Sequence, residues 1–290
     1  MPGMSTTPQS PGVPDQSPAP PPSSAGYAEL LYEVRGGVAT ITFNRPERRN
    51  PIGPSTVGEL LHALQRARDD VAVRVVVITG AGKIFSAGGD LSQMSGQSGA
   101  PLSSGAAENR AAGTFADLMN LLAGTGIGKP TIAKVNGHAM AGGLGIVVAC
   151  DLAIAADDAG FATPEINVGL WPMMIMATIF RNVPRKRAME LILTGDRLDA
   201  ATAERLGLIT RCVPRDKLDA EVATLCEKLI AKSPLIVMRG LDAYHRMQDM
   251  PLEPALRFLE GELAGVLGTE DAAEGLMAFL QKRAPVWKAK

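Results

Sequence analysis

Two glycine-rich segments carry the residues of this chain that are best suited to chemistry. The first has the sequence FSAGGDL (85–91), and the second has the sequence NGHAMAGGLG (136–145). Each follows a short apolar run that is typical of a strand, and each leads into a stretch compatible with a helix. Backbone N–H groups at a helix start have no partner within the helix. The two segments are therefore suited to hold the oxyanion that forms when a carbonyl group reacts.

A glutamate follows the second glycine segment by about twenty residues, in the sequence TPEI (163–166). The residues after Glu165 are largely apolar, and they include Ile166, Val168, Leu170, Trp171 and Met173. A carboxyl group in apolar surroundings has a raised pKa, which suits it to accept and return a proton near neutral pH. From these residues alone, however, a surface glutamate that caps a helix is the stronger interpretation of Glu165.

Strand and helix patterns alternate through the first two thirds of the chain. The sequence predicts a strand pair at 30–34 and 38–43 that turns at Gly36-Gly37, and a helix at 55–67 with Ser55 as its N-cap. The remaining elements are predicted as strands at 73–79, 131–135 and 152–156 and as helices at 111–122 and 146–150. Residues 93–107 are rich in Ser and Gly and are predicted to be a mobile loop. This order indicates an α/β architecture.

The last third of the chain is almost wholly helical in pattern. Amphipathic helices are predicted at 221–231, 235–247, 254–267 and 272–283, and a strand at 209–213. A helical end piece of this kind often packs against another subunit.

Composition excludes several classes of function. The 290 residues include 29 Lys and Arg against 30 Asp and Glu, so no excess of charge favours nucleic acid or membrane surfaces. The three cysteines and three histidines are scattered, without the spacing of a metal site. No apolar run approaches the length of roughly 20 residues that a membrane helix needs.

The first 26 residues are rich in Pro and Ser and contain neither Lys nor Arg. They lack the features of a secretory or mitochondrial signal, so we predict a disordered tail at 1–26 and a cytoplasmic protein.

Four segments together resemble the crotonase superfamily, the enoyl-CoA hydratases and isomerases, from about residue 30 to residue 288. They are NRP (44–46), the two glycine segments with the second extended to 135–151, and the stretch 161–169 followed by 193–195 and 203–213. The resemblance implies a crotonase-like spiral of ββα units at 27–213 and a C-terminal helical trimerisation region at 214–290. It also implies a homotrimer or a dimer of trimers. The implied substrate is a coenzyme A thioester of fatty acid metabolism, with no cofactor beyond the CoA that the substrate itself carries.

The resemblance also implies roles for single residues. The backbone N–H groups of Gly89 and Gly142 would hold the thioester oxygen, and Glu165 would be the catalytic glutamate. Arg45 and Arg48 lie where the family contacts the nucleotide end of CoA. The predicted contacts to substrate and CoA are Arg49, Ala87, Asp90, Leu91, Trp171 and Lys282.

Gly145 departs from the pattern of typical hydratases, which carry a second glutamate at this position. A single glutamate is the pattern of the enoyl-CoA isomerases of this superfamily, which only move a proton between two carbons. We therefore predict isomerisation of an enoyl-CoA. The alternatives are a hydratase in which ordered water replaces the second carboxylate, and a CoA-binding or RNA-binding homologue without turnover.

A methionine-rich run at 170–176 stands where hydratases usually have glycines. Methionine is flexible and fills irregular space. The run is compatible both with a pocket for the acyl chain and with a core helix.

Overall fold

The computed structural model describes residues 26–90 and 113–290. The predicted tail, apart from Gly26, and the predicted loop at 93–107 lie outside the described residues. Leu91 lies outside them as well, so its predicted contact with substrate stays a prediction.

Twelve strands are formed by the described residues. They are β1 (Leu30–Arg35), β2 (Val38–Phe43), β3 (Pro51–Ile52), β4 (Val75–Gly80), β5 (Ile84–Ser86), β6 (Gly88–Gly89), β7 (Thr131–Val135), β8 (His138–Met140), β9 (Leu152–Ala156), β10 (Gly160–Ala162), β11 (Leu198–Asp199) and β12 (Arg211–Val213).

Six of these strands form the main sheet, in the order β1-β2-β4-β7-β9-β12. β1 and β2 are antiparallel and turn at Gly36-Gly37, where both residues have positive φ, as the glycine pair predicts. All the other pairings in this sheet are parallel. β4 is buried along its whole length, because parallel neighbours flank it and helices cover both faces.

Four short strands form a second sheet in the order β11-β10-β8-β5, and β3 pairs with β6 in a separate two-stranded sheet. None of these short strands was predicted, because two or three residues are too few to show a strand pattern. This second layer matters for function, since β5, β6 and β8 lead directly into the two glycine turns.

Ten α-helices complete the described part of the chain. They are α1 (Pro54–Asp69), α2 (Phe115–Met119), α3 (Gly142–Ala149), α4 (Met173–Asn182), α5 (Arg185–Thr194), α6 (Ala200–Leu206), α7 (Leu218–Ile230), α8 (Pro234–Met247), α9 (Leu252–Leu267) and α10 (Glu270–Leu280). An α/β fold with a helical C-terminal region is thus confirmed.

The starts of the first three helices differ from the predictions. The N-cap of α1 is Gly53 and not Ser55, because Pro54 takes the first helical position and the Thr56 hydroxyl accepts the Gly53 N–H. α2 begins after Thr114, whose hydroxyl caps the Asp117 N–H, and it continues as a π-helix at Asn120–Thr125. α3 begins at Gly142, four residues before its predicted start, so the last three glycines of the second segment belong to the helix.

Apolar clusters cover both faces of the main sheet. Ile78, Val76 and Ala133 pack into the larger cluster, while Val75 and Val77 face the smaller one, as the two-residue period of a strand requires. The first helix after the predicted boundary at 213 contributes Leu218, Val222 and Cys226 to the smaller cluster. Among the described residues, no helix is both long and apolar enough to cross a membrane.

Candidate functional site

Asn50 anchors the first glycine turn, although its sequence position gave no such indication. Its side chain is 1% exposed, and its Nδ2 donates to the carbonyl oxygens of Ala81, Ile84 and Phe85 at 3.0, 2.8 and 3.3 Å. The Ser86 hydroxyl in turn donates to the Asn50 carbonyl oxygen at 2.7 Å. Asn50 thus holds the chain segment that leads into the first glycine turn, on the side of β3.

The first glycine turn contains strand β6, which pairs with β3. Gly89, whose N–H is the predicted donor, therefore lies in a strand and not at the start of a described helix. The Asp90 N–H donates to the Ile52 carbonyl oxygen at 3.1 Å, and the Ala87 N–H donates to that of Arg49 at 2.9 Å. Gly89 lies between these two residues and is the register partner of Ile52 in β3.

The second turn is held by β10 and opens helix α3. The Ala141 N–H donates to the Ala162 carbonyl oxygen at 2.9 Å, and Ala141 itself has φ 49°. Gly142 follows as the first residue of α3, where backbone N–H groups have no partner within the helix. This position agrees with the sequence expectation that a helix start presents the Gly142 N–H.

The two turns lie against each other. A Cβ atom built on Gly88 would lie 2.8 Å from the Met140 carbonyl oxygen, so the two turn backbones are in contact. Ile52, the register partner of Gly89, also places its Cδ1 3.9 Å from a Cβ built on Gly142. Gly89 and Gly142 therefore border the same side chain.

Glu165 lies three residues beyond Ala162, the residue that holds the second turn. It belongs to a 3₁₀ turn, Pro164–Val168, and its carbonyl oxygen accepts the Leu170 N–H at 3.0 Å. The carboxyl atom Oε2 is buried and has no hydrogen-bond partner. Burial raises the pKa of Glu165 above the ordinary value of 4.5, because the charged form loses its hydration. The raised pKa agrees with the sequence prediction, whereas Val168, Leu170 and Met173, which were predicted to surround the group, are exposed to solvent.

Helix α4 contains the three methionines of the run 170–176, and it packs on α3 at Gly145. Met173 and Met174 are exposed, so they are not core residues. Trp171 is half-buried, and its Nε1 lies 3.2 Å from the Met176 sulfur. Ile175 is 2% exposed, and its side chain occupies the position that a Cβ atom on Gly145 would take.

Asp90 joins two of the arginines that follow β2. Its carboxylate, 3% exposed, lies 3.3 Å from Arg48 Nη2 and 3.7 Å from Arg45 Nη1. Arg45 also pairs with Glu29 at 2.7 Å. The predicted contact residue Asp90 is thus engaged with protein cations beside the first turn.

The other predicted CoA contacts lie in two places. Ala87 and Arg49 are joined by their backbone hydrogen bond next to the first turn, and the Arg49 side chain is exposed. Lys282 is exposed just beyond α10 and has φ 54°. The structure thus brings Arg49 and Ala87 together, and it leaves Lys282 in the C-terminal helical region.

His138 begins β8, at the end of that strand away from the glycine turn. Its Nε2 lies 3.4 Å from Arg197 Nη1, and burial lowers its pKa. It borders an open cleft with Asp157 and Asp158, on the edge of the second sheet. Within residues 26–90 and 113–290, no group of three His, Cys, Asp or Glu side chains could hold a metal ion.

Comparisons with known proteins agree with this architecture. The family model described as "Enoyl-CoA hydratase/isomerase" matches residues 33–290. Enoyl-CoA hydratase domain-containing protein 3, mitochondrial, from Mus musculus is 31% identical over 273 residues, which are 92% of this chain and 89% of the mouse protein.

Solved structures of the same family superpose closely. The crystal structure of enoyl-CoA hydratase from Mycobacterium smegmatis is 34% identical and has a TM-score of 0.83, with 90% of this chain and 99% of that chain covered. Human enoyl Coenzyme A hydratase domain-containing protein 3 is 30% identical with the same TM-score, covering 90% of this chain and all of its own. The chain therefore belongs to the enoyl-CoA hydratase/isomerase family, the crotonase superfamily, and it is an enzyme of hydratase or isomerase type.

Proposed function

We propose that this enzyme moves the carbon–carbon double bond of an enoyl-CoA thioester, with Glu165 as its single acid and base. The observation that carries the proposal is the buried, unpartnered Oε2 of Glu165 combined with glycine at position 145. One carboxyl group suffices for isomerisation, because the proton that it removes from one carbon is the proton that it returns to another.

The negative charge formed in this reaction needs donors at the thioester oxygen. We assign this role to the N–H groups of Gly89 and Gly142, which border Ile52 from two directions. Such a preorganised donor typically contributes about 3 kcal/mol to stabilising the transition state. The dienolate would form when Glu165 takes the proton, and it would collapse to the conjugated thioester when Glu165 returns it.

The raised pKa of Glu165 suits both halves of this exchange. The carboxylate is a stronger base than an exposed glutamate, and the protonated form persists long enough to be the acid for the second carbon. Over one turnover no group outside the substrate gains or loses an atom, because Glu165 returns the proton that it takes. The proposal therefore requires neither a metal nor a cofactor, and CoA enters only as part of the substrate.

We further propose how the rest of the substrate is bound. Arg49, beside Ala87, would contact the nucleotide end of CoA, and Lys282 would contact its phosphates. Trp171 would border the acyl chain next to Met176. Asp90 would act indirectly, because its carboxylate holds Arg45 and Arg48 beside the turn. Leu91 would contact the substrate directly.

The exposed apolar side chains of the C-terminal helices support a proposed homotrimer or dimer of trimers. Leu252, Leu256, Leu263 and Leu267 are all more than half exposed on α9. Extended apolar surfaces of this kind mark contacts with other proteins. The predicted domain boundaries and the predicted cytoplasmic location stay predictions, and some relatives are named mitochondrial.

Hydration of a 2-enoyl-CoA is the second candidate function. It is favoured by the printed names of the relatives, several of which are enoyl-CoA hydratases. In that case water would have to be activated without a carboxylate at position 145.

A two-substrate assay on the purified protein separates the candidates. A 3-enoyl-CoA is supplied in one reaction, and formation of the conjugated 2-enoyl thioester is followed by absorbance. A 2-enoyl-CoA is supplied in the other, and loss of the same absorbance reports hydration. We expect gain in the first without loss in the second, whereas fast loss in the second would replace the isomerase proposal with hydration.

A further inference from the structure

The glycine face of α3 is covered by side chains from two other helices. Gly142 and Gly145 are three residues apart and therefore lie on one face of α3. A Cβ atom on Gly142 would lie 3.4 Å from the Phe115 ring, and one on Gly145 would lie 3.8 Å from Met119 Cε. Phe115 and Met119 both belong to α2, so this one helix lies beside both Gly142 and Gly145.

Ile175 covers position 145 far more closely. A Cβ atom on Gly145 would overlap Cγ2 of Ile175 and would lie 2.9 Å from its Cβ. Ile175 is 2% exposed and sits in the first turn of α4, where a β-branched side chain has one strongly preferred rotamer. Ile175 therefore cannot turn aside for a side chain at position 145.

The first carboxylate that follows position 145 in the sequence is that of Asp151, and it is already hydrogen-bonded beyond the C-terminal end of α3. Asp151 Oδ2 accepts the N–H and the hydroxyl of Thr131, both at 2.7 Å. It lies beyond Cys150, the C-cap of α3, whereas Gly142 is at the opposite end. Asp151 is thus held away from the glycine turn.

We propose that Ile175 determines the reaction specificity of this enzyme by excluding a second base at position 145. This inference rests on the proposed function, in which Glu165 transfers the proton. Hydration forms a bond from the water oxygen to the β-carbon, moves one water proton to a base and places a proton on the α-carbon. Isomerisation moves one proton and uses one base. With glycine at position 145 and the Ile175 side chain filling the space beside it, only the second reaction has all its groups.

The chemical test places a glutamate at position 145 and removes the Ile175 side chain that would block it. We expect Gly145→Glu/Ile175→Gly to raise the ratio of 2-enoyl-CoA hydration to 3-enoyl-CoA isomerisation at least about ten-fold over wild type, which is below the factor of about 10²–10⁴ that a positioned acid or base typically contributes. The matched control is Gly145→Gln/Ile175→Gly, which has the same volume without a carboxylate and should keep the wild-type ratio. An unchanged ratio in the folded Glu variant, or an equal rise in the Gln variant, would overturn the proposal.

A stability cycle tests the same contact without using activity. Gly145→Ala alone should lower Tm by about 3–10 °C, because it overpacks the contact with Ile175. The double variant Gly145→Ala/Ile175→Ala should lose clearly less than the sum of the two single losses, since each change accommodates the other. Strictly additive losses would overturn the steric exclusion, even if the Glu variant failed to fold.

The two experiments also separate this inference from the proposed function. If wild type acts on neither CoA substrate, the proposed function fails, while a coupled stability cycle leaves the steric exclusion in place. If wild type isomerises and the folded Glu variant gains no hydration, the inference fails and the proposed function stands.

Discussion

A Cβ atom on Gly88 would lie 2.5 Å from the Cβ of Ala141, so the two glycine turns touch at these two residues. Both residues have positive φ, 92° at Gly88 and 49° at Ala141. The left-handed conformation is unfavourable for alanine and easy for glycine. The pair thus concentrates the strain on Ala141, which is held by its hydrogen bond to Ala162.

We predict that Gly88→Ala destabilises the protein by roughly 2–4 kcal/mol, which combines the penalty for positive φ with the clash against Ala141. It should also lower turnover, because the displaced turn carries the Gly89 N–H. Chemical denaturation and the two-substrate assay measure the two effects.

The matched control is Gly240→Ala in α8, where an added Cβ meets nothing within 4 Å. Alanine is the better helix former, so this variant should be as stable as wild type or up to about 1 kcal/mol more stable. Equal denaturation midpoints for the two alanine variants would show that the turns do not constrain each other.

Most of the main sheet could be predicted from sequence, because its strands are either largely apolar runs or, in β1 and β2, alternating runs joined by a glycine pair. β4 is the clearest case, since every residue in it is buried and most are β-branched. The second sheet could not be predicted, because its strands are two or three residues long and are defined only by their partners, as β11 is by β10. Its formation depends on contacts between residues that are far apart in the chain.

The site was predictable where spacing and residue type carry the information. The glycine turns were located in this way and Glu165 through the resemblance to the family, whereas the role of Asn50 depends on carbonyls more than thirty residues away. Ile175 escaped prediction for the same reason, since nothing in a helix sequence shows which glycine it covers. Asn50 did offer one signal, because asparagine tolerates the positive φ of 52° that this position requires.

Asn50 gives the second prediction. Asn50→Ala should cost about 2–4 kcal/mol, because it leaves buried carbonyl oxygens without a donor. Asn50→Asp should cost more, although its shape is nearly identical, because its carboxylate would face the same carbonyl oxygens. Denaturation with urea measures both, and Asn44→Ala, at an exposed position, is the control. An aspartate variant as stable as wild type would contradict the assigned hydrogen bonds.

The buried carboxyl group of Glu165 should make stability depend on pH. Its pKa is raised in the folded state, so the folded protein keeps this proton to higher pH than the unfolded chain does. Stability is therefore lost as pH rises from the ordinary 4.5 through the raised pKa, and it stays lower above that value. Glu165→Gln cannot ionise and should have a higher Tm than wild type at about pH 8, with a difference that shrinks on acidification. A difference in Tm that is independent of pH would argue against a raised pKa.

The raised pKa of Glu165 should also appear in the pH dependence of catalysis. The base form of Glu165 starts the reaction, so kcat/KM should fall as pH decreases through its pKa in the free enzyme. Because burial raises this pKa, the midpoint of the acid limb should lie above 4.5. The pH profile of the isomerisation rate measures it, and a midpoint at or below 4.5 would show that Glu165 is solvated in the working enzyme.

Glu165→Gln tests the catalytic role directly. Removing a general acid and base typically costs about 10²–10⁴ in rate, so kcat should fall by that factor. Binding of a CoA ester should change little, because glutamine has the same size and Oε2 has no hydrogen-bond partner to lose. The control is Glu190→Gln, whose exposed carboxylate pairs with Arg187 on α5 and should leave kcat unchanged. Near wild-type turnover in Glu165→Gln would place the proton transfer on another group, whereas equal loss in both variants would indicate a general effect on the fold.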